Sequence, residues 1–157
     1  MNPTAQGSAA SPDWRMHLLT DPADIAALLE RTQRIAVLGI KTADAASQPA
    51  HYVPAYAQKA GYEVIPVPVY YPDVTEILGQ KVYRAVSDIP GSVDMVNVFR
   101  RPADITAHLG DILFAQPKAV WFQLGIRNDA AAEQLARAGI DVVQDRCLLV
   151  ELKNTGR

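Results

Sequence analysis

Short apolar runs alternate along this chain with segments of helical spacing, and the alternation continues from about residue 22 to residue 144. The first helix signal is a cap at Thr20 or Asp21 followed by Pro22 in the first turn. Ile25, Leu28 and Leu29 then recur at helical spacing, which predicts a helix over 22–32. Residues 34–39 (RIAVLG) form an apolar run closed by glycine, the pattern of a strand buried on both faces. A helix over 52–60 is expected next, closed by Gly61, with Pro54 in or just past its first turn. Residues 62–69 (YEVIPVPV) read as a second strand. Its prolines cannot donate to a ladder, so they suggest an edge-facing stretch or a loop at its end.

Residues 70–92 carry no clear period and read as irregular, with short turns at 75–78 and near Asp88. A third strand (93–99), a helix (103–115), a fourth strand (119–124), a helix (129–138) and a fifth strand (140–144) follow. Strands alternating with helices imply a parallel sheet covered on both faces. The expected fold is therefore α/β: a three-layer, Rossmann-like, doubly wound, parallel five-stranded sheet, with order 3-2-1-4-5 as the simplest right-handed arrangement. Residues 1–12 (MNPTAQGSAASP) are small and polar, with nothing to bury, and are expected to form a disordered tail. That leaves 13–157 as a single domain.

Composition narrows the function classes. A net charge of −2 gives no argument for broad binding to nucleic acid or an anionic membrane, although a local basic cluster can still hold a phosphate. One cysteine, Cys147, excludes an internal disulfide and a cysteine-rich zinc site, and fits a reducing compartment. No apolar run approaches the roughly 20 residues of a membrane span, and no basic start with an apolar stretch marks a signal peptide. The expected location is the cytoplasm.

In an open parallel sheet, ligands bind beyond the carboxyl ends of the strands, at the switch point beside strand one. The loops there hold Gly39, Ile40 and Lys41, then Pro68 to Tyr71, then Arg100 and Arg101, then Gly125, Ile126 and Arg127. Two glycines and four cations suit an anionic ligand with an aromatic head. A dinucleotide fingerprint needs three spaced glycines, and only Gly39 is present. The acid that would bind a ribose diol at the tip of strand two is also absent, which disfavours NAD. Lys41 is either a solvated loop residue or a phosphate contact, and His51 either a structural imidazole or a donor to phosphate. Tyr70 and Tyr71 suit a purine stack and a packed loop equally well. Trp121 reads as core, and Cys147 as a small buried hydrophobe rather than a reactive thiol. No nucleophile with its base, and no metal-ligand cluster, stands out.

Several stretches, taken in order, carry a resemblance: 35–40 (IAVLGI), 61–67 (GYEVIPV), 77–83 (ILGQKVY), 93–102 (VDMVNVFRRP), 119–125 (AVWFQLG) and 145–147 (DRC). The chain resembles the small CoA-binding domain proteins of the YccU-like type, similar to the CoA-binding domain of the succinyl-CoA synthetase alpha subunit. The resemblance implies coenzyme A lying across the strand ends. Its diphosphate would meet Gly39, Ile40, Lys41 and the helix start at Gln48, Pro49, Ala50, His51 and Tyr52. Its adenosine would face Val67, Pro68, Phe99, Arg100 and Arg101, and Gly125 and Ile126 would border the pantetheine path. The first loop departs from the family's usual Ser-Arg-Pro-Ser, reading Ser47-Gln48-Pro49-Ala50, and Lys41 and His51 are the candidate replacements. The second-strand loop reads Val67-Pro68-Val69 in place of Val-Asn-Pro. The function expected is a non-catalytic CoA or acyl-CoA binding module with a regulatory or carrier role. The alternatives are an NAD(P)-linked or acyl-CoA ligase-type enzyme on the same scaffold, and an interaction protein without ligand.

Overall fold

The computed structural model describes residues 13–156, so the expected tail at 1–12 lies outside the described residues. Helix α1 (Pro22–Arg31) is capped by the Asp21 carboxylate, which accepts the Ala23 N–H. Strand β1 (Arg34–Leu38) leads to α2 (Pro49–Lys59) and then to β2 (Glu63–Val67). The stretch expected to be irregular holds a small antiparallel hairpin, β3 (Glu76–Ile77) with β4 (Gln80–Lys81). Strand β5 (Met95–Val98), α3 (Thr106–Ala115), β6 (Ala119–Phe122), α4 (Asp129–Arg137) and β7 (Asp141–Val143) follow. A further helix, α5 (Leu148–Asn154), closes the chain.

The five main strands form one parallel, doubly wound sheet, as the alternation implied. Their order is β2-β1-β5-β6-β7, which corrects the expected 3-2-1-4-5: the third strand pairs with the first, not the second. Pro66 supplies the physical reason. It has no N–H, and an interior strand would leave a gap in its ladder at that point. With β2 on the edge, Pro66 faces away from β1, and its carbonyl accepts the Tyr83 N–H at 3.0 Å from the hairpin side.

Right-handed crossovers then settle the layers. The chain moves from β1 to β2 in one direction and returns past β1 to β5 in the other, so the two crossovers cover opposite faces. Helix α2 shares its face with α1 and α5, burying Ile25, Leu29, Val53 and Leu148 against Val37, Met95 and Trp121. The return segment buries Val86, Ile89 and Val93 with α3 and α4 against Ala36, Val96 and Phe122. Successive strand residues therefore serve different cores, and the buried ones are apolar apart from Asn97, as expected for a sheet covered on both sides.

Trp121 is fully buried, and its indole N–H donates to the Arg146 carbonyl at 2.8 Å. That bond ties the middle of β6 to the segment entering α5. Trp121→Phe keeps most of the bulk and leaves the carbonyl without its donor. It is expected to lower unfolding stability by about 1–3 kcal/mol in urea titration, and an unchanged midpoint would contradict this anchoring role.

Candidate functional site

The observed strand order places the switch point between β1 and β5, so the loops leaving Leu38 and Val98 stand side by side. Gly39 occupies this junction with φ +90°, a region that disfavours side chains. Its N–H donates to the Val67 carbonyl at 2.9 Å, and the Phe99 N–H donates to the Leu38 carbonyl at 2.8 Å. A Cβ on residue 39 would overlap the Phe99 carbonyl oxygen and stand 3.1 Å from its carbonyl carbon. The glycine is required by the protein's own crossing backbones before any ligand is considered.

Helix α2 begins three residues earlier than the expected start at 52, with Gln48 as its N-cap and Pro49 at its first position. Pro54 therefore sits inside the helix, past the first turn. It offers no N–H to the Ala50 carbonyl four residues back. The Lys41 backbone N–H takes that place, donating to Ala50 at 3.0 Å. The Lys41 carbonyl is met in turn by His51 Nδ1 at 3.0 Å. The missing helical bond thus becomes the fastening for the loop after β1. His51 is buried and holds that loop through Nδ1, so this nitrogen serves the structural alternative rather than the phosphate-facing one.

Lys41 Nζ donates to Gln48 Oε1 at 2.6 Å. An ammonium is thereby held against the N-cap of α2, where the helix dipole is already positive. Two positive features converge on one spot, an arrangement that an anion relieves. The first turn of α2 holds Ala50 nearly buried and Tyr52 exposed, and the Ile40 side chain is fully buried. Among these residues ligand contact therefore falls to backbone, Lys41, Gln48 and Tyr52.

On the β5 side, Arg100 is well packed and Arg101 exposed, and both reach Asp104 Oδ2, at 3.7 and 2.8 Å. The Arg101 hydrogen bond holds the Asp104 carboxyl below the usual carboxylate range. Arg100 Nε also donates to His108 Nε2 at 3.2 Å, and its guanidinium lies 5.9 Å from the centre of the Tyr70 ring. His108 and Asp104 were not singled out from sequence. Their place one or two turns after a strand-end arginine is the signal that could have found them. Val67 and Pro68 are buried beside Gly39. Gly125 and Ile126 follow β6, one strand beyond the crevice, and Asp145 pins them: its carboxylate accepts the Gly125 N–H at 2.6 Å. The predicted residues thus share one edge, but the strand order moves the Gly125 turn outward and brings Phe99, with Arg100 next to it in the chain, against Gly39.

Cys147 is half-buried at the N-cap of α5 and packs against the core. Among the described residues, no group of three acidic, histidine or cysteine side chains is placed to hold a metal ion. No helix there is long and apolar enough to cross a membrane.

A family model described as CoA binding domain matches residues 33–153. Protein YneT of Bacillus subtilis is 36% identical over 128 residues, covering 82% of this chain and 91% of that one. The solved structure of cell-free ID.343 from Thermus thermophilus is 38% identical with a TM-score of 0.79, covering 87% of this chain and 99% of that one. A dinucleotide-forming acetyl-coenzyme A synthetase from Ca. Korarchaeum cryptofilum shares the fold at 19% identity and a TM-score of 0.58. The match covers 74% of this chain and 27% of the synthetase.

Two outcomes follow from this geometry. Gly39→Ala is expected to cost about 2–5 kcal/mol, from a positive φ and a backbone collision. Thermal or urea unfolding measures it, and a loss below 1 kcal/mol would refute the close crossing. His108 is pushed below the ordinary imidazole pKa, first by burial and then by the Arg100 charge. Because the unfolded chain then binds the proton more readily, this group's contribution is present above the ordinary imidazole pKa and is lost as pH falls below it. NMR titration should place the His108 midpoint below that of a free imidazole. In Arg100→Ala the midpoint should rise without reaching the free value, since burial remains. A wild-type midpoint at or above the free value would overturn the assignment.

Proposed function

The chain belongs to the CoA binding domain family, and on that premise we propose that it is a cytoplasmic module binding coenzyme A or an acyl-CoA across the β1–β5 crevice. The observation that carries this reading is the Lys41 ammonium held on Gln48 at the positive end of α2. A diphosphate placed there meets the helix dipole and the lysine together. The family's usual Ser-Arg-Pro-Ser is replaced at 47–50, and Lys41 supplies a cation from the other side of the same loop. Adenosine then falls toward Pro68, Tyr70 and Arg100, and the pantetheine arm runs toward the Gly125–Ile126 turn.

A binding and carrier role, rather than a catalytic one, is favoured by how the rim's titratable groups are used. His51 fastens the Lys41 loop, His108 accepts from Arg100, and Asp104 accepts from Arg101. Each holds the crevice in shape. A regulatory role would follow from the same property, through a ligand-dependent surface.

Calorimetry with CoA tests the reading. Binding heat and a rise in melting temperature are expected, with NADH and NADPH giving neither. Lys41→Ala is expected to weaken CoA about tenfold, the worth of one charge-assisted contact, and to flatten the dependence on salt. Absence of heat and of any thermal shift at millimolar CoA would overturn the proposal, and a shift with NADPH alone would favour the reductase alternative.

A further inference from the structure

Beyond the tip of β2 the chain runs through 70–74 without ladder partners, and its shape is set by a side chain from elsewhere. Arg84, which follows the hairpin, directs its guanidinium into this loop. Nη1 donates to the Tyr70 carbonyl at 3.2 Å. Nη2 faces the carbonyls of Tyr71 at 2.9 Å, Pro72 at 3.3 Å and Val74 at 2.6 Å. Four backbone acceptors converge on one fork-shaped cation, an arrangement a lysine's point charge does not reproduce. Within the clamp Tyr71 holds φ +62°, a left-handed conformation that an aromatic residue keeps only when its surroundings impose it.

The consequence is displayed next door. Tyr70 is 62% exposed, which is unusual for a large aromatic residue in a loop fastened this tightly. The Arg100 guanidinium stands over one face of its ring at 5.9 Å. Arg100 is itself held by His108 and Asp104. With Arg100, which follows β5, on the ring and most of the residue exposed, Tyr70 offers aromatic surface to solvent at the strand-end rim. A flat heteroaromatic ring is the ligand chemistry this suits, since stacking on a preorganised aromatic needs no specific hydrogen bonds.

We infer that Arg84 is a positioning residue, clamping the 70–74 loop so that Tyr70 forms the stacking platform for the ligand's purine. This rests on the reading of the crevice as a CoA site and adds a residue outside that crevice which sets selectivity for the adenine half. Order imposed before binding raises affinity by sparing the ligand the cost of fixing the loop.

The test uses the full chain with three probes: CoA, its adenosine bisphosphate half, and its phosphopantetheine half, each titrated by calorimetry. In Arg84→Ala the affinities for CoA and adenosine bisphosphate should fall about tenfold, while phosphopantetheine changes less than twofold. Arg84→Lys should resemble Arg84→Ala. Tyr70→Ala should produce the same selective loss, and adding Arg84→Ala to it should produce little more, because the clamp acts through the ring. Unchanged CoA affinity in Arg84→Ala, an equal loss for all three probes, or a full additional loss in the double variant would each overturn the inference. Wild-type protein that binds none of the three probes would instead defeat the CoA reading itself.

Discussion

Two backbones cross at Gly39 so closely that a single added carbon would overlap the Phe99 carbonyl oxygen. This approach exists because β5 returns to pair with β1 after β2 has taken the outer edge. Once the strands lie in that order, their leaving loops diverge from a common point, and the crevice between them is a product of topology. The Gly39 N–H on Val67 and the Phe99 N–H on Leu38 lock three neighbouring strand ends into one rim. Every residue discussed as a ligand contact is positioned relative to that rim.

The rim is held by groups that ordinary helix and strand rules would leave unsatisfied. Pro54 deprives the Ala50 carbonyl of its helical donor, and the Lys41 N–H fills the vacancy. His51 then secures the carbonyl of the same residue, Lys41. What looks like a helix defect is a joint between α2 and the loop it follows. Lys41 consequently stands at the positive end of the helix with Gln48 as its partner. Arg84 does comparable work for the second loop, drawing four carbonyls around one guanidinium. Both loops are ordered before any ligand arrives, which lowers the entropy lost on binding.

Much of this was legible along the chain. The runs at 34–39, 93–99 and 119–124 read as strands because they are short and mostly apolar, and the structure buries both of their faces, with Asn97 and Gln123 as buried polar exceptions. Asp21 with Pro22, and the glycines at 61 and 139, located helix ends through local chemistry. Trp121 was legible as core for the same reason. The start of α2 was missed because Pro54 argued for an early position in the helix, while the compensating Lys41 bond comes from outside it. The hairpin at 76–81 and the helix α5 were not anticipated, as the first has only two residues per strand and the second only two turns of packing.

Sequence alone determined the class of fold, the set of loops that meet at the carboxyl edge, and the family resemblance. These depend on periodicity and on short motifs, which are properties of neighbours along the chain. Tertiary structure decided which loops touch. Strand order hinges on long-range pairing: the prolines of 62–69 suggested an edge-facing stretch, but the pairing of β5 with β1 is made by residues some sixty positions apart. The same holds for His51, His108 and Arg84, whose roles are set by carbonyls and cations brought close by folding. A residue's type states what bonds it can make; the packed chain alone supplies the partner.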